Sequence, residues 1–181
     1  MREMSKSFKI TNVKFSCTVS PPIDPSFFNH SHSVLKYWGG SSRFIIRCEN
    51  FVFCFMSNGK FVNITGSREI TGYLEALQTL KSQLSPLKFT FSKIKTDAIS
   101  AVVKLPPKIF SSILRNKDFQ TRIILKTYHS IPGRINVRFV SPSNHTPNMS
   151  ANVFSSGSVC IFGARVKDDV RFFIENILLC F

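Results

Sequence analysis

The stretch Val153–Val166, VFSSGSVCIFGARV, decides the fold. A β-rich run enters a Ser-Ser-Gly-Ser turn, a second β-rich run follows at Ser158–Phe162, and Gly163 ends it. Apolar residues at helical spacing then extend over Lys167–Cys180. This order of signals predicts a strand, a tight hairpin, a second strand, a turn and a helix.

The same order of signals occurs earlier in the chain, at Phe53–Ser67, FCFMSNGKFVNITGS, which precedes a helical pattern over Arg68–Leu84. Two copies of one hairpin-plus-helix pattern in a small chain indicate an internal repeat. We therefore predict a first repeat over residues 1–86 and a second over residues 87–181, integrated into one domain.

The rest of each half supplies one long strand, one short helix and further short strands. The remaining predicted strands are Phe8–Val19, Arg43–Cys48, Phe89–Leu105, Arg122–Leu125 and Arg134–Val140, and the remaining helices are Ile23–His32 and Pro106–Asn116. Each half thus reads strand, helix, three strands, helix. The fold class is α+β, with one antiparallel sheet that carries helices on one face and leaves the other face open.

Charge is the strongest compositional signal. The 181 residues carry a formal net charge of +14, and 43% of them are apolar, which is enough for a packed core. A folded chain with this excess of cations is expected to meet a polyanion, with nucleic acid and an anionic membrane surface as the leading candidates. The alternative is a basic surface that is simply solvated.

Cysteine usage and the N-terminal sequence bear on the compartment. The five cysteines include no CxxC pair and mostly lie in apolar runs, which is typical of buried thiols in a reducing compartment. Met1–Lys9 is polar, without a following apolar region, so no signal peptide is expected. No apolar run has membrane-spanning length, and we expect no membrane partner.

Catalytic patterns are weak throughout the chain. His30 and His32 lie near no cysteine pair, so a zinc site is not expected. Neither a G-x-S-x-G elbow nor a phosphate-binding glycine loop occurs. Asp168 and Asp169 are better explained as charges that favour a helix N-terminus than as an acid/base pair. The sequence therefore predicts no enzyme and no cofactor.

The second hairpin resembles that of the TATA-box-binding protein (TBP) family, which has phenylalanine, two short residues, glycine, a β run, Thr-Gly-Ala and a basic residue. The matching residues are Phe154-Ser155-Ser156-Gly157 and Gly163-Ala164-Arg165 in the second half, and Phe55, Ser57, Gly59-Lys60 and Thr65-Gly66 in the first. On this alignment the first hairpin is two residues longer than the family's, which preserves strand parity.

Other matches extend the resemblance over nearly all of Phe8–Leu179. Asn12 falls on an asparagine of the family's first strand, Val103–Pro106 on a Val-Lys-Phe-Pro, Arg43-Phe44 on an Arg-Phe, and Pro132-Gly133 on a Pro-Gly. The resemblance implies a saddle, in which two pseudo-symmetric repeats form one curved antiparallel sheet with helices on its convex face.

The resemblance also implies that the open face lies on the minor groove of DNA and that apolar side chains wedge between base steps. The positions that match the family's wedges are Phe44 and Phe55 in the first half, and Ile131 and Phe154 in the second. The alternative is that these are further core residues of a chain with 19 phenylalanines.

The remaining DNA-binding positions divide into groove and backbone contacts. Asn12 is expected to face the A·T acceptors of the groove, with Thr96 as its second-half partner. Thr65 matches a DNA-facing threonine whose counterpart is Phe162, and Lys14 stands where the family has valine. The cations expected to contact phosphates are Arg43, Lys104, Arg134, Arg138 and Arg165, each with a solvated surface charge as the alternative.

Partner surfaces diverge from the family. The family has an acidic loop that receives the B-type initiation factor, whereas Lys126–Ser130 contains no acid, so the partner differs or docks elsewhere. The expected partners are A·T-rich double-stranded promoter DNA and general transcription factors or polymerase-associated proteins. A homodimer formed in the absence of DNA is left open.

Two functions follow, together with a place in the cell. The first is a TBP-like initiation factor that bends promoter DNA and recruits RNA polymerase, in the nucleus. The second is a TBP-fold scaffold without DNA bending, which burial of Phe44, Phe55 and Phe154 would favour. The divergence suggests a viral or parasite protein, with a cytoplasmic viral replication site or the virion as alternative locations.

Overall fold

The computed structural model describes residues 7–24, 33–38, 41–48, 50–115, 123–127, 133–139 and 149–179. The chain divides into two compact units. The first unit is Asn12–Asp97, and the second combines Met1–Thr11 with Ala98–Phe181.

The first unit is built from strands in the antiparallel order β2-β3-β4-β5-β1 and one helix. The elements are β1 (Lys9–Ser20, which enters this unit at Asn12), β2 (Ser33–Trp38), β3 (Ser41–Arg47), β4 (Val52–Met56), β5 (Phe61–Ser67) and α1 (Tyr73–Gln83). The predicted change from strand to helical periodicity after the hairpin is therefore present.

The second unit repeats this arrangement, with the antiparallel order β7-β8-β9-β10-β6. Its elements are β6 (Thr90–Lys104, which enters this unit at Ala98), α2 (Lys108–Arg115), β7 (Ile123–Thr127), β8 (Arg134–Phe139), β9 (Ser150–Phe154), β10 (Ser158–Ala164) and α3 (Lys167–Leu178). The match extends to irregularities, because the β1–β5 and β6–β10 ladders both shift register beside a glycine with positive φ, Gly66 and Gly163.

Alternating burial gives each unit a helix face and an open face. In β1 the odd residues from Val13 to Val19 are buried, and Phe15 contacts Tyr73 of α1 edge-on with ring centroids 5.8 Å apart. In β10 Val159 and Ile161 are fully buried, while α3, which packs against this strand, buries Phe173. We call the strand face with the buried residues the helix face, and the opposite one the open face.

Two elements differ from the sequence prediction. Strand β2 was not predicted, although Ser33–Trp38 is rich in the β-branched and aromatic residues that strands favour. Helix α1 begins at Tyr73 rather than Arg68 because Ser67 Oγ accepts a hydrogen bond from Glu69 N at 3.0 Å and donates one to Glu69 O at 2.7 Å. This local pairing holds a turn in place of the first helical turn. Most of the predicted helix Ile23–His32 lies outside the described residues.

Candidate nucleic-acid interface

Strand register shows which residues correspond between the two units. In the β3–β4 ladder Arg43 lies opposite Met56, and in the β8–β9 ladder Arg134 lies opposite Phe154. Both pairs lie on the open face next to the hairpin turn. Arg43 therefore corresponds to Arg134, and Met56 corresponds to Phe154.

The first-half wedge prediction is wrong for both of its residues. Phe44 and Phe55 lie on the helix face, where they are 1% and 0% exposed and stack on each other with ring centroids 4.7 Å apart. A ring in this position cannot reach a ligand on the open face without leaving the core. The structure thus assigns both phenylalanines to packing.

The error comes from the length of the first hairpin. The pair Phe55–Val62 encloses residues 56–61, whereas the equivalent pair Val153–Val159 encloses residues 154–158, so the first hairpin is longer by one residue. The sequence alignment assumed a difference of two residues. A slip of one residue moves a strand's side chains to the other face, which exchanges Phe55 for Met56 at the open-face position.

A signal in the sequence could have found Met56. It stands three residues before Gly59, as Phe154 stands three residues before Gly157, and each of these glycines donates its N–H to the carbonyl of that residue at 2.8 Å. Counting back three residues from each glycine, without inserting a gap, makes Met56 the counterpart of Phe154.

In the second unit two aromatic residues lie on the open face. Phe154 is half-buried at the end of β9, and Phe162 in β10 is 39% exposed. The wedge role of Phe154 stays a prediction. The registers of β4–β5 and β9–β10 make Phe162 the counterpart of Thr65, as the sequence predicted. The fourth predicted wedge, Ile131, lies outside the described residues.

Most strands of the two open faces carry no acids. The six strands β3, β4, β5, β8, β9 and β10 contain no Asp or Glu. Their four arginines, Arg43, Arg47, Arg134 and Arg138, alternate with buried residues and therefore all lie on the open face. The acids of α1 and α3 are Glu75, Asp168, Asp169 and Glu175.

Sequence reasoning missed Arg47, although the signal was present. Each unit carries arginines four residues apart on one strand, Arg43 with Arg47 and Arg134 with Arg138. Because side chains alternate along a strand, residues four apart share a face. The repeated R-x-x-x-R pattern therefore specifies a pair of cations on each open face.

Asn12 lies on the open face of β1, where a backbone contact orients it. Its Oδ1 accepts a hydrogen bond from Gly66 N at 2.8 Å, at the bulge between β1 and β5. This contact leaves the side-chain NH₂ group to donate to a ligand. Lys14 follows on the same face and is half-buried.

The predicted symmetry between Asn12 and Thr96 needs correction. Val13 pairs with Ser67 and Ile99 pairs with Ala164 at matching points of the two bulges, so Val13 corresponds to Ile99. Asn12 then corresponds to Ala98, which has no amide to offer. Thr96, which is half-buried in β6, lies two residues before that position.

Lys104 and Arg165 occupy different settings. Lys104 Nζ donates to Ser156 O at 2.6 Å and lies 3.3 Å from Ser158 Oγ, so it closes the β9–β10 hairpin. The Arg165 side chain is exposed, while its backbone N–H donates to Asp169 Oδ2 at 2.7 Å and fixes the entry to α3. Lys104 therefore has a structural role in the hairpin, whereas the Arg165 side chain is exposed.

Among the residues that the structure describes, no group of three or more His, Cys, Asp and Glu is placed to hold a metal ion. Burial raises the pKa of the Cys17 thiol to about 11, and burial also raises the pKa values of Cys48 and Cys160. These thiols therefore remain protonated and poorly nucleophilic at neutral pH. No helix in the described part of the chain is both long and apolar enough to cross a membrane.

Comparison with known proteins identifies the fold. The chain is similar to the TBP of Methanococcus jannaschii, with a TM-score of 0.71 and 18% sequence identity, over 96% of this chain and 97% of that one. No protein-family model matches the sequence. No curated protein matches it either. The predicted α+β fold of the TBP type is confirmed, and the likeness at this identity concerns the fold alone.

Proposed function

We propose that this protein is a TBP-like transcription initiation factor that binds A·T-rich promoter DNA through the minor groove, bends it and recruits RNA polymerase through partner factors. One observation carries the proposal. The open face of each unit presents two arginines on strands without a carboxylate, while the acids of α1 and α3 lie on the helices. A duplex is the ligand whose charge such a face suits best.

The arginines account for affinity in this proposal. Arg43 and Arg134 lie opposite the last residues of β4 and β9, next to the hairpin turns. Arg47 and Arg138 follow four residues later, which spaces each pair by roughly 13 Å. The Nε atom of Arg43 is buried and makes no hydrogen bond to any described residue. A phosphate oxygen would satisfy this donor and remove the cost of leaving it unpaired, about 1–3 kcal/mol.

Apolar side chains beside the arginines account for bending. Phe154 lies across the ladder from Arg134, and Met56 lies across from Arg43. Apolar wedges that enter the minor groove unstack a base step, at a cost of a few kcal/mol that the wrapped duplex repays in contacts. Phe162 on the neighbouring strand adds a second exposed ring to the second unit.

The helices are the proposed docking surface for protein partners. Leu74 on α1 and Phe172 on α3 are among the exposed large apolar side chains, and both lie away from the open face. The acid-free segment Lys126–Ser130 implies a partner chemistry other than that of the family's acidic loop. In this proposal the protein acts in the nucleus, with a cytoplasmic viral replication site or the virion as alternatives.

A scaffold without DNA bending is the second candidate. The observation that favours it is the burial of Phe44 and Phe55, which leaves Met56 at the first-unit position that corresponds to Phe154. Met56 is a smaller and more flexible wedge than phenylalanine. The two candidates therefore differ in whether the duplex bends.

The test is fluorescence transfer across an end-labelled A·T-rich duplex. We expect wild type to bend the duplex and the double variant Phe154→Ala, Met56→Ala to bind with little bend. The matched control is Phe172→Ala, which removes a more exposed ring from α3 and should leave the bend unchanged. The salt dependence of the DNA-binding constant K reports phosphate contacts independently of the bend. Each lost phosphate contact makes the negative slope of log K against log[salt] shallower by about 0.9.

Each outcome decides between the candidates. A bend that is lost in the double variant and kept in the control supports the initiation factor. Salt-sensitive binding without a bend in wild type supports the scaffold. Absence of salt-sensitive binding refutes both DNA-binding versions.

A further inference from the structure

The open face of the second unit carries a pair of asparagines across neighbouring strands. Asn136 in β8 and Asn152 in β9 lie directly opposite each other in the ladder. Asn136 Nδ2 donates to Asn152 Oδ1 at 3.1 Å and to Ala151 O at 3.2 Å. Both side chains are half-buried.

These contacts set the direction of the Asn152 amide. Because its Oδ1 accepts from Asn136, its NH₂ group is the part that points to a ligand on the open face. Asn136 uses its own NH₂ group on two acceptors, one on the backbone and one on Asn152. The donor that the pair offers to a ligand is therefore the NH₂ group of Asn152, which lies across the ladder from the strand segment between the cations Arg134 and Arg138.

The first unit has no such pair at the same place. Register makes Ile45 the counterpart of Asn136 and Cys54 the counterpart of Asn152, while Arg43 and Arg47 flank them as Arg134 and Arg138 flank the asparagines. The two open faces thus share the frame of cations and differ in what lies between them. The first unit has Ile45 and Cys54 where the second offers the Asn152 NH₂ group as a donor.

We propose that Asn152, positioned by Asn136, is a specificity determinant that selects base pairs without a guanine amino group under the second unit. This inference rests on the proposed minor-groove binding. In that groove A·T and T·A pairs show acceptors alone, and a G·C pair adds the guanine N2 amino donor. A donor that faces another donor loses its hydrogen bond and leaves a polar group desolvated.

Replacing guanine with inosine tests the effect of the guanine amino group alone. An I·C pair lacks the amino group of guanine and presents the acceptor pattern of A·T in the minor groove. The probes are two duplexes of the same purine–pyrimidine order, one with I·C and one with G·C pairs, and the readout is the ratio of their dissociation constants. A ratio cancels effects of a variant on general affinity or on the folded fraction.

For wild type we expect binding to the I·C duplex at least about fivefold tighter than to the G·C duplex. Asn152→Ala should reduce this ratio by roughly that factor. Cys54→Ala, the substitution at the matching position of the first unit, should leave the ratio unchanged. An unchanged ratio in Asn152→Ala overturns the inference.

A second variant tests the positioning role of Asn136. Asn136→Asp replaces the donor to Asn152 Oδ1 with an acceptor, so the Asn152 amide should rotate, donate to the new carboxylate and present its oxygen to the groove. We expect the ratio to fall below that of Asn152→Ala, because the oxygen accepts from the guanine amino group. A role in packing alone would not move the ratio in this direction.

The outcomes also separate this inference from the proposed function. If wild type binds neither duplex in a salt-sensitive way, the proposed function fails and the inference fails with it. If wild type binds both duplexes equally, or if Asn136→Asp keeps the wild-type ratio, the inference alone is overturned and minor-groove binding stands.

Discussion

The two units differ in whether the strands or the helix supply the large side chains of the core. On the helix face of the first unit the strands supply Phe15, Phe44, Phe53 and Phe55, and the positions that correspond by register in the second unit are Ala101, Ile135, Ala151 and Val153. The helices compensate for this difference. Helix α1 buries Ala76, Leu77 and Leu80, whereas α3 buries Val170, Phe173, Ile174 and Ile177.

This comparison shows that one backbone frame accepts either distribution of side-chain volume. Close packing constrains the total side-chain volume between the strands and the helix of a unit. A large strand residue therefore needs a small helix residue opposite it. It also explains why Phe15, Phe44, Phe53 and Phe55 are not wedges, because all four belong to the core. Phe61 differs from them, since it is 47% exposed and lies on the open face of β5.

The largest expected effect comes from Phe55→Ala, which should lower the free energy of unfolding by about 3–5 kcal/mol because it empties a fully buried site. Val153→Ala at the corresponding position removes two carbons and should cost roughly 1.5–2 kcal/mol. Urea denaturation of both variants measures the difference. Phe154→Ala, on the open face, should cost less than about 1 kcal/mol, and an equal cost for Phe154 and Phe55 would contradict the assignment of faces.

A smaller effect is expected at the hairpin turns, where both units have a glycine with positive φ although the hairpins differ in length. Gly59 and Gly157 have φ of 62° and 83°, and a Cβ on either would meet a backbone carbonyl, that of Ile23 or Leu105. Alanine at each should cost about 2 kcal/mol or more, since the left-handed conformation alone costs 1–2 kcal/mol.

Gly133→Ala provides the comparison for these turns. Gly133 also has a positive φ of 74°, but a Cβ there would meet the side-chain hydroxyl of Ser155, which can rotate away. Thermal unfolding should therefore rank Gly133→Ala as the mildest of the three variants. A ranking in which Gly133→Ala is the most severe would show that the carbonyl contacts do not limit the turns.

The smallest effect concerns Cys17 in β1, whose counterpart in β6 is Val103. Burial raises the pKa of Cys17 from 9.0 to about 11, so the folded state keeps a proton that the unfolded state releases. Stability should therefore fall as pH rises from about 9 towards 11, by under about 1 kcal/mol at pH 9.5. Cys17→Val should lose less stability over this range than wild type, and equal losses would assign the alkaline sensitivity to other groups.

The sequence predicted most of the fold because its signals are local. Alternation along β1, the two glycine turns and the helical spacing after each hairpin are all read from neighbouring residues. The repeat then organised these elements, and the structural likeness to a TBP confirms the result.

The face on which each phenylalanine lies could not be predicted as well, because it depends on counting residues through a turn. A difference of one residue rather than two in the first hairpin exchanges Phe55 and Met56 between faces. The asparagine pair was missed for a related reason. Asn136 and Asn152 are distant in sequence and meet only once the β8–β9 register is known.

The two arginines on each open face act on a polyanion before contact. In each unit they lie on strands without a carboxylate, whereas acids and cations are mixed on α1 and α3, as Glu75 with Lys81 and Asp168 with Arg171. A polyanion that approaches the arginines of a unit is attracted to that side, which favours one orientation during diffusion and raises the rate of association at low ionic strength. In the proposed function, this orientation is set before any base edge is contacted.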